Sequence, residues 1–204
     1  MTVLTRGAIW KALEGPKDDC LVITPLFSLD QVGTSSIDVR LGNEFILFKR
    51  RNVDAIDIAK GELRRRLPAY QEKIRIEFKE SFTIHPGQLV LSCTLEYIKL
   101  PSSLAGYILG RSSWGRLGLV IQMASAIAPN FAGSITLELA NIGQVPLVLY
   151  PGTRVAQLIL HEADQATTYE GRYKFPTGPQ FSRVDEDDDL GFWCGTSEEK
   201  SDGS

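Results

Sequence analysis

Helical periodicity nearly vanishes from this chain after residue 15, and that feature narrows the possible folds more than any other. Only the opening TRGAIWKALEG spaces its apolar residues for an amphipathic helix, with Thr5 able to cap it, Ile9 and Leu13 on one face and Gly15 able to end it. Short alternating runs follow. In SIDVRLGNEFILF, residues 36–48, apolar Ile37, Val39 and Leu41 alternate with polar neighbours before a turn at Gly42-Asn43. The charged stretch 49–73, with KGELRRRLPAY, reads as a long loop with room for a helical turn. Strand patterns resume at IRIEF, 74–78, and run through SFTIHPGQLVLSCTLEYIKL with a turn at Pro86-Gly87. Further strands fit 105–109, 119–123, 134–140, 145–150 and 154–161, separated by Pro129-Asn130, Asn141-Ile142-Gly143 and Pro151-Gly152. Many short strands at this spacing predict an antiparallel sandwich or barrel.

The length, 204 residues, suits one domain with appendages, and 43% hydrophobic residues supply an ordinary core. We expect the domain over 1–183 and an acidic, mobile tail over 184–204, DEDDDLGFWCGTSEEKSDGS being nearly all of it; Phe192 and Trp193 are its two aromatics. Lys and Arg total 22 against 25 Asp and Glu, so no broad basic surface for nucleic acid is implied. A small phosphorylated ligand needs only a few placed cations. Cys20, Cys93 and Cys194 lie far apart, which reads as reduced thiols in a cytoplasmic protein and as no metal cluster. No signal peptide is apparent, and the longest nearly apolar run, Leu117 to Ala128, is too short for a bilayer, which needs about 20 residues.

Three segments could carry chemistry. GRSSWGRLG, 110–118, places Ser112, Ser113, Arg111 and Arg116 around a tight turn or short helix after a strand. Outward N–H groups, hydroxyls and fixed positive charge at such a turn suit phosphate oxygens, although the same residues would also serve a serine-capped turn with surface ion pairs. In SITLELAN, 134–141, Ile135, Leu137 and Leu139 point one way while Thr136 and Glu138 point the other, into water or a cleft. A carboxylate held beside an electrophilic carbon can activate water. The run TYEGRYKFPTGPQFSRV, 167–184, has the Tyr, Gly, Arg and Lys content of an arm that folds over a charged ligand or crosses to another subunit.

Taken in order, SSIDVRLGNEF, FTIHPGQLVLSCTLEYIKLP, GRSSWGRLGL and PNFAGSITLELANIGQVPLVLYPGTRVAQL make the chain resemble the dCTP deaminase family, within the superfamily it shares with trimeric dUTPases. The resemblance spans about 20–183. It implies a mainly β, dUTPase-like distorted jelly-roll or barrel with a short N-terminal helix and a mobile C-terminal arm. It also implies a homotrimer with interface active sites, and hydrolytic deamination of dCTP to dUTP and ammonia. Zinc is not expected, because no H-x-E with P-C-x-x-C occurs; magnesium would accompany the triphosphate. His85 and His161 are expected to be structural.

By family correspondence Glu138 is the general base, with Ser112 and Arg116 holding the water and orienting the carboxylate. The Ala124 carbonyl would complete the water's contacts, Arg111, Ser112 and Ser113 would bind phosphates, and Tyr169 and Arg172 would reach in from the arm. Thr136 and Leu137 would meet the nucleotide through backbone and shape. The sequence departs from the family pattern at Ala128, where an aspartate usually contacts the sugar, at Ala126, often arginine, at Arg172, often lysine, and at Pro176, often glutamine. Lack of the aspartate disfavours dUTPase chemistry. The alternatives are a bifunctional deaminase–diphosphatase forming dUMP, a paralogue acting on another pyrimidine nucleotide, and a non-catalytic nucleotide-binding regulator.

Overall fold

The computed structural model describes residues 2–16, 19–49, 55–57, 63–122, 126–164 and 175–186. The chain divides into two compact units, one formed by residues 1–47 and 73–180 and the other by 48–72 and 181–204. The first is mainly β. It opens with helix α1, Arg6–Leu13, whose Ile9 is fully buried. Thr5 holds the extended N-cap position, but its side chain makes no capping bond; its carbonyl accepts the Ile9 N–H instead. Glu14, just before Gly15, is the C-cap.

Strands β1 (Val22–Thr24), β7 (Tyr97–Lys99) and β10 (Ala132–Gly133) form one antiparallel sheet. Five strands, β4 (Gln71–Arg75), β3 (Glu44–Phe48), β6 (Leu89–Cys93), β11 (Thr136–Asn141) and β9 (Leu119–Gln122), form a second in that order. A pair, β12 (Leu147–Leu149) with β5 (Phe82–Ile84), and a triplet, β2 (Ile37–Arg40), β13 (Arg154–Glu162) and β8 (Leu104–Gly110), complete it. The alternation in the sequence decides which residues face inward. Ile135, Leu137 and Leu139 are buried with Ile121, Val90, Ile98 and Phe45, the last stacked on Phe82 at 4.5 Å. Apolar area removed from water along this continuous core is the main driving term for the fold.

Two expectations need revision. IRIEF is not a strand throughout: β4 starts earlier, at Gln71, and ends at Arg75, with a turn at 78–79 where Lys79 takes a positive φ. The loop expected over 49–73 contains a full helix, α2, Leu63–Tyr70. Its charged sequence hid it, because only Leu67 and Tyr70 contribute to the small apolar cluster of the second unit, with Phe48 and Val184 packed against them. In that unit a 3-10 turn spans Val184–Glu186; the rest of the acidic tail, including Phe192, Trp193 and Cys194, lies outside the described residues. No helix among the described residues is long and apolar enough to cross a membrane.

Candidate active site

The GRSSWGRLG segment folds as a short helix, α3, Ser112–Gly115, entered directly from β8 with Arg111 as its extended N-cap. It is fixed on β13 by main chain and side chain: the Arg111 N–H donates to the Val155 carbonyl at 3.0 Å, and the Trp114 indole Nε1–H donates to the Arg154 carbonyl at 3.0 Å. The turn closes on Gly118, where φ is +94° and a side chain would strike the Gly143 backbone, so both left-handed geometry and space demand glycine. Ser112, Ser113 and Arg116 are exposed, and none of their side chains has a hydrogen-bond or ion-pair partner among the described residues. Donors that the fold leaves unspent are available to an anion.

Arg111 is different. Its guanidinium is half-buried, with Nη2 3.8 Å from Asp38 Oδ2 and Nη1 3.5 Å from the Arg154 carbonyl. Asp38, on β2, also accepts from Gln157 Nε2 at 3.0 Å and from Arg154 Nη1 at 3.4 Å, while Arg154 Nη2 donates to Asp30 at 3.0 Å and Ser28 at 3.2 Å. Arg154 and Gln157 are three residues apart and would point to opposite faces of a regular strand. A register shift between Arg154 and Ala156 brings both to the same carboxylate. The hydroxyl of Ser28 and the Arg154 guanidinium hold the Asp30 carboxyl below its ordinary value. Asp38, Arg154 and Trp114 were not singled out in the sequence. The signals were the Asp inside SSIDVR and the Arg inside PGTRVAQL, but what joins them is the bulge, which no local pattern reveals.

Glu138 stands on the outward face of β11, half-buried, opposite Leu91 of β6 and Gln122 of β9. Its carboxylate has no hydrogen-bond or ion-pair partner among the described residues. Thr136 lies two residues before it on that face, and the Thr136 hydroxyl accepts the Gln180 N–H at 3.2 Å. Leu137 is fully buried, so only its main chain is available to a ligand. Ala128 is half-buried at the entry to the turn before β10, its carbonyl accepting the Phe131 N–H at 3.2 Å, and Ala126 is exposed.

Pro176 has a structural use. Its carbonyl accepts the Ser134 N–H at 2.7 Å, and its ring occupies the space that a side chain on Gly133 would need. Ala124, Tyr169 and Arg172 lie outside the described residues.

Within one chain the structure does not bring Glu138 and the phosphate-suited turn together. Glu138 pairs with Gln122, whereas the turn enters β9 at Leu119, opposite Asn141. Three residues of strand, roughly 10 Å, separate those two rungs.

The histidines and cysteines stand apart from these groups. His85 sits exposed in a turn, and His161 packs on Tyr107 at 4.8 Å with both ring nitrogens buried and unpartnered among the described residues. Cys20 and Cys93 are thiols, the Cys93 thiol pushed up to about 12 by burial and, secondarily, by the Glu44 carboxylate. The described residues contain no group of three or more His, Cys, Asp or Glu able to hold a metal ion.

Among the described residues, a mainly β chain thus presents an unpaired carboxylate on one strand and an exposed Ser/Arg turn near one end of the neighbouring strand. Comparison with known proteins sharpens this. Residues 3–163 match the family model described as dCTP deaminase-like. This chain belongs to that family. It is 37% identical over 201 residues to "dCTP deaminase, dUMP-forming" of Methanosphaera stadtmanae, covering 93% of this chain and 98% of that one. It is 37% identical over 183 residues to "dCTP deaminase" of Natronomonas pharaonis, covering 84% and 90%. With the dUMP-forming enzyme of Aquifex aeolicus it shares 41% over 161 residues, covering 78% and 84%. The crystal structure of 2'-deoxycytidine 5'-triphosphate deaminase from Agrobacterium tumefaciens superposes with a TM-score of 0.59 at 20% identity, over 79% of this chain and 48% of that one; this likeness concerns the fold.

Proposed function

We propose that the chain catalyses hydrolytic deamination of dCTP, adding water at C4 of the cytosine and releasing dUTP and ammonia. The observation that carries this reading is the Glu138 carboxylate, half-buried on β11 and left without a partner among the described residues, in a chain of the dCTP deaminase-like family. Glu138 takes a proton from the attacking water and returns it to the departing amine. Ser112 and Arg116 hold the water and orient the carboxylate, and the Ala124 carbonyl supplies its remaining contact. Arg111, Ser112 and Ser113 receive the phosphates, Tyr169 and Arg172 close over them, and the backbone at Thr136 and Leu137 with the Ala128 turn shapes the nucleoside end.

The site is shared between chains of a homotrimer. The roughly 10 Å between the Glu138 rung and the turn in a single chain favours this arrangement, since the Ser112/Arg116 turn of a second copy can face Glu138 without refolding either element. Magnesium enters with the triphosphate, held by phosphate oxygens, and offsets their charge. The described carboxylates, which are scattered or already paired with arginines, fit that role better than a protein-made cage. The protein acts in the cytoplasm.

A second reading, onward cleavage to dUMP and pyrophosphate, is favoured by the dUMP-forming names of several relatives. Ala128, standing where an aspartate would position a phosphate-attacking water, opposes it. Purified protein with dCTP and magnesium should yield equal ammonia and dUTP. Equal ammonia, dUMP and pyrophosphate would replace the first reading with the second, and dCTP binding without product would make the chain a regulator. Sedimentation should give three chains per particle; a monomer that deaminates dCTP would contradict the shared site.

A further inference from the structure

We propose that Asp38 is a positioning residue that holds Arg111 in place for the substrate's polyphosphate. This rests on the nucleotide reading above and deepens it. Of the four polar side chains of the turn, Ser112, Ser113 and Arg116 project outward unpartnered, while Arg111 alone has a carboxylate behind it. The separation of 3.8 Å makes an ion pair without a hydrogen bond, so the carboxylate aims the guanidinium while Nη1 alone is held, loosely, by the Arg154 carbonyl at 3.5 Å.

Asp38 is suited to that task because it is itself immobilised. It is only 8% exposed, Gln157 bonds one of its oxygens, and Arg154, pinned in turn by Asp30 and Ser28, shares the other. Its charge also keeps two guanidiniums of like sign close together. Remove that charge and Arg111 and Arg154 repel, with Arg111, the less anchored of the two, free to swing away. A cation already aimed at the anion loses less freedom on binding, which strengthens binding without touching the chemical step.

Binding of dCTP, deoxycytidine and inorganic tripolyphosphate to wild type, Asp38→Asn, Arg111→Gln and the double variant tests this, with steady-state kinetics alongside. Asp38→Asn should weaken dCTP and tripolyphosphate about tenfold, leave deoxycytidine unchanged and raise KM with kcat intact. The double variant should bind no worse than Arg111→Gln alone, because both changes remove one function. Equal losses for deoxycytidine and dCTP, a lower kcat at unchanged KM, or additive losses in the double variant would overturn the proposal.

Should Asp38→Asn fail to fold, Gln157→Met removes Asp38's closest donor with all charges kept. A smaller loss confined to phosphate-bearing ligands is then expected, and no loss overturns the idea. Wild type that binds tripolyphosphate but never deaminates dCTP would sink the enzymatic reading while leaving Asp38 judged by the variants. Wild type that binds neither would sink both.

Discussion

Asp38 and Arg40 stand two residues apart on β2 and are both nearly out of solvent, yet the charge clusters they anchor are built in opposite ways. Around Arg40 the bonds are short and converge on one buried carboxylate. Glu96, fully buried, accepts the Arg40 N–H at 2.8 Å, Gln31 Nε2 at 2.9 Å and Arg40 Nη1 at 3.1 Å, and the Phe27 ring covers the guanidinium at 4.8 Å. Around Asp38 the arginine contacts lengthen to 3.4 and 3.8 Å and two arginines share one oxygen. A tight buried network of this kind serves architecture. The open one retains donors that a ligand can use. The difference separates a tight cluster from a looser one two residues along the same strand.

The largest expected effect is on the closed side. Glu96→Ala leaves the Arg40 charge buried without its partner and should lower unfolding free energy by about 3–5 kcal/mol in urea titrations. A loss below about 1 kcal/mol would mean that the network is not closed in solution. On the open side, Arg111→Gln should leave the urea midpoint nearly unmoved while raising the KM for dCTP about tenfold or more. A variant that loses stability but not affinity would erase the distinction between the two clusters.

A pH series sharpens the contrast. Burial pushes the Glu96 carboxyl above its ordinary value, and the bonds from Arg40 only partly draw it back. The folded state therefore keeps this proton to higher pH than the unfolded chain. Its contribution to stability is fully present below the ordinary glutamate value and is lost as pH rises through the folded value. The stability of wild type relative to Glu96→Gln should accordingly shrink as pH rises from that range; a flat difference contradicts the assignment. The smallest effect belongs to Asp30→Asn. Asp30 is exposed and its pair with Arg154 is screened by salt, so any shift in Tm should be slight at low salt and vanish at high salt.

Much of the fold was legible because alternation is a direct record of burial: Ile37, Val39 and Leu41, and Ile135, Leu137 and Leu139, face inward as their spacing requires. The polar neighbours in the first run were not legible in the same way. Alternation alone does not say that Asp38 and Arg40 are buried; their carboxylate and amide partners Glu96 and Gln157 lie 56 and 119 residues away, and sequence spacing carries no trace of such pairs. Helix α2 was concealed for the converse reason, being charged where a helix is usually recognised by its apolar stripe. At the candidate site, the outward placement of Glu138 and the anion-suited turn followed from local pattern. Their separation within one chain did not, since it depends on the register of β9 against β11.

The central claim is that Glu138 works as the base on a pyrimidine nucleotide. Single-turnover ammonia release from bound dCTP by Glu138→Gln, against wild type in the same assay, tests it most directly. We expect dCTP affinity to be retained and the rate to fall about 10²–10⁴-fold, the range that positioned bases supply. Undiminished ammonia release from the variant would contradict the account.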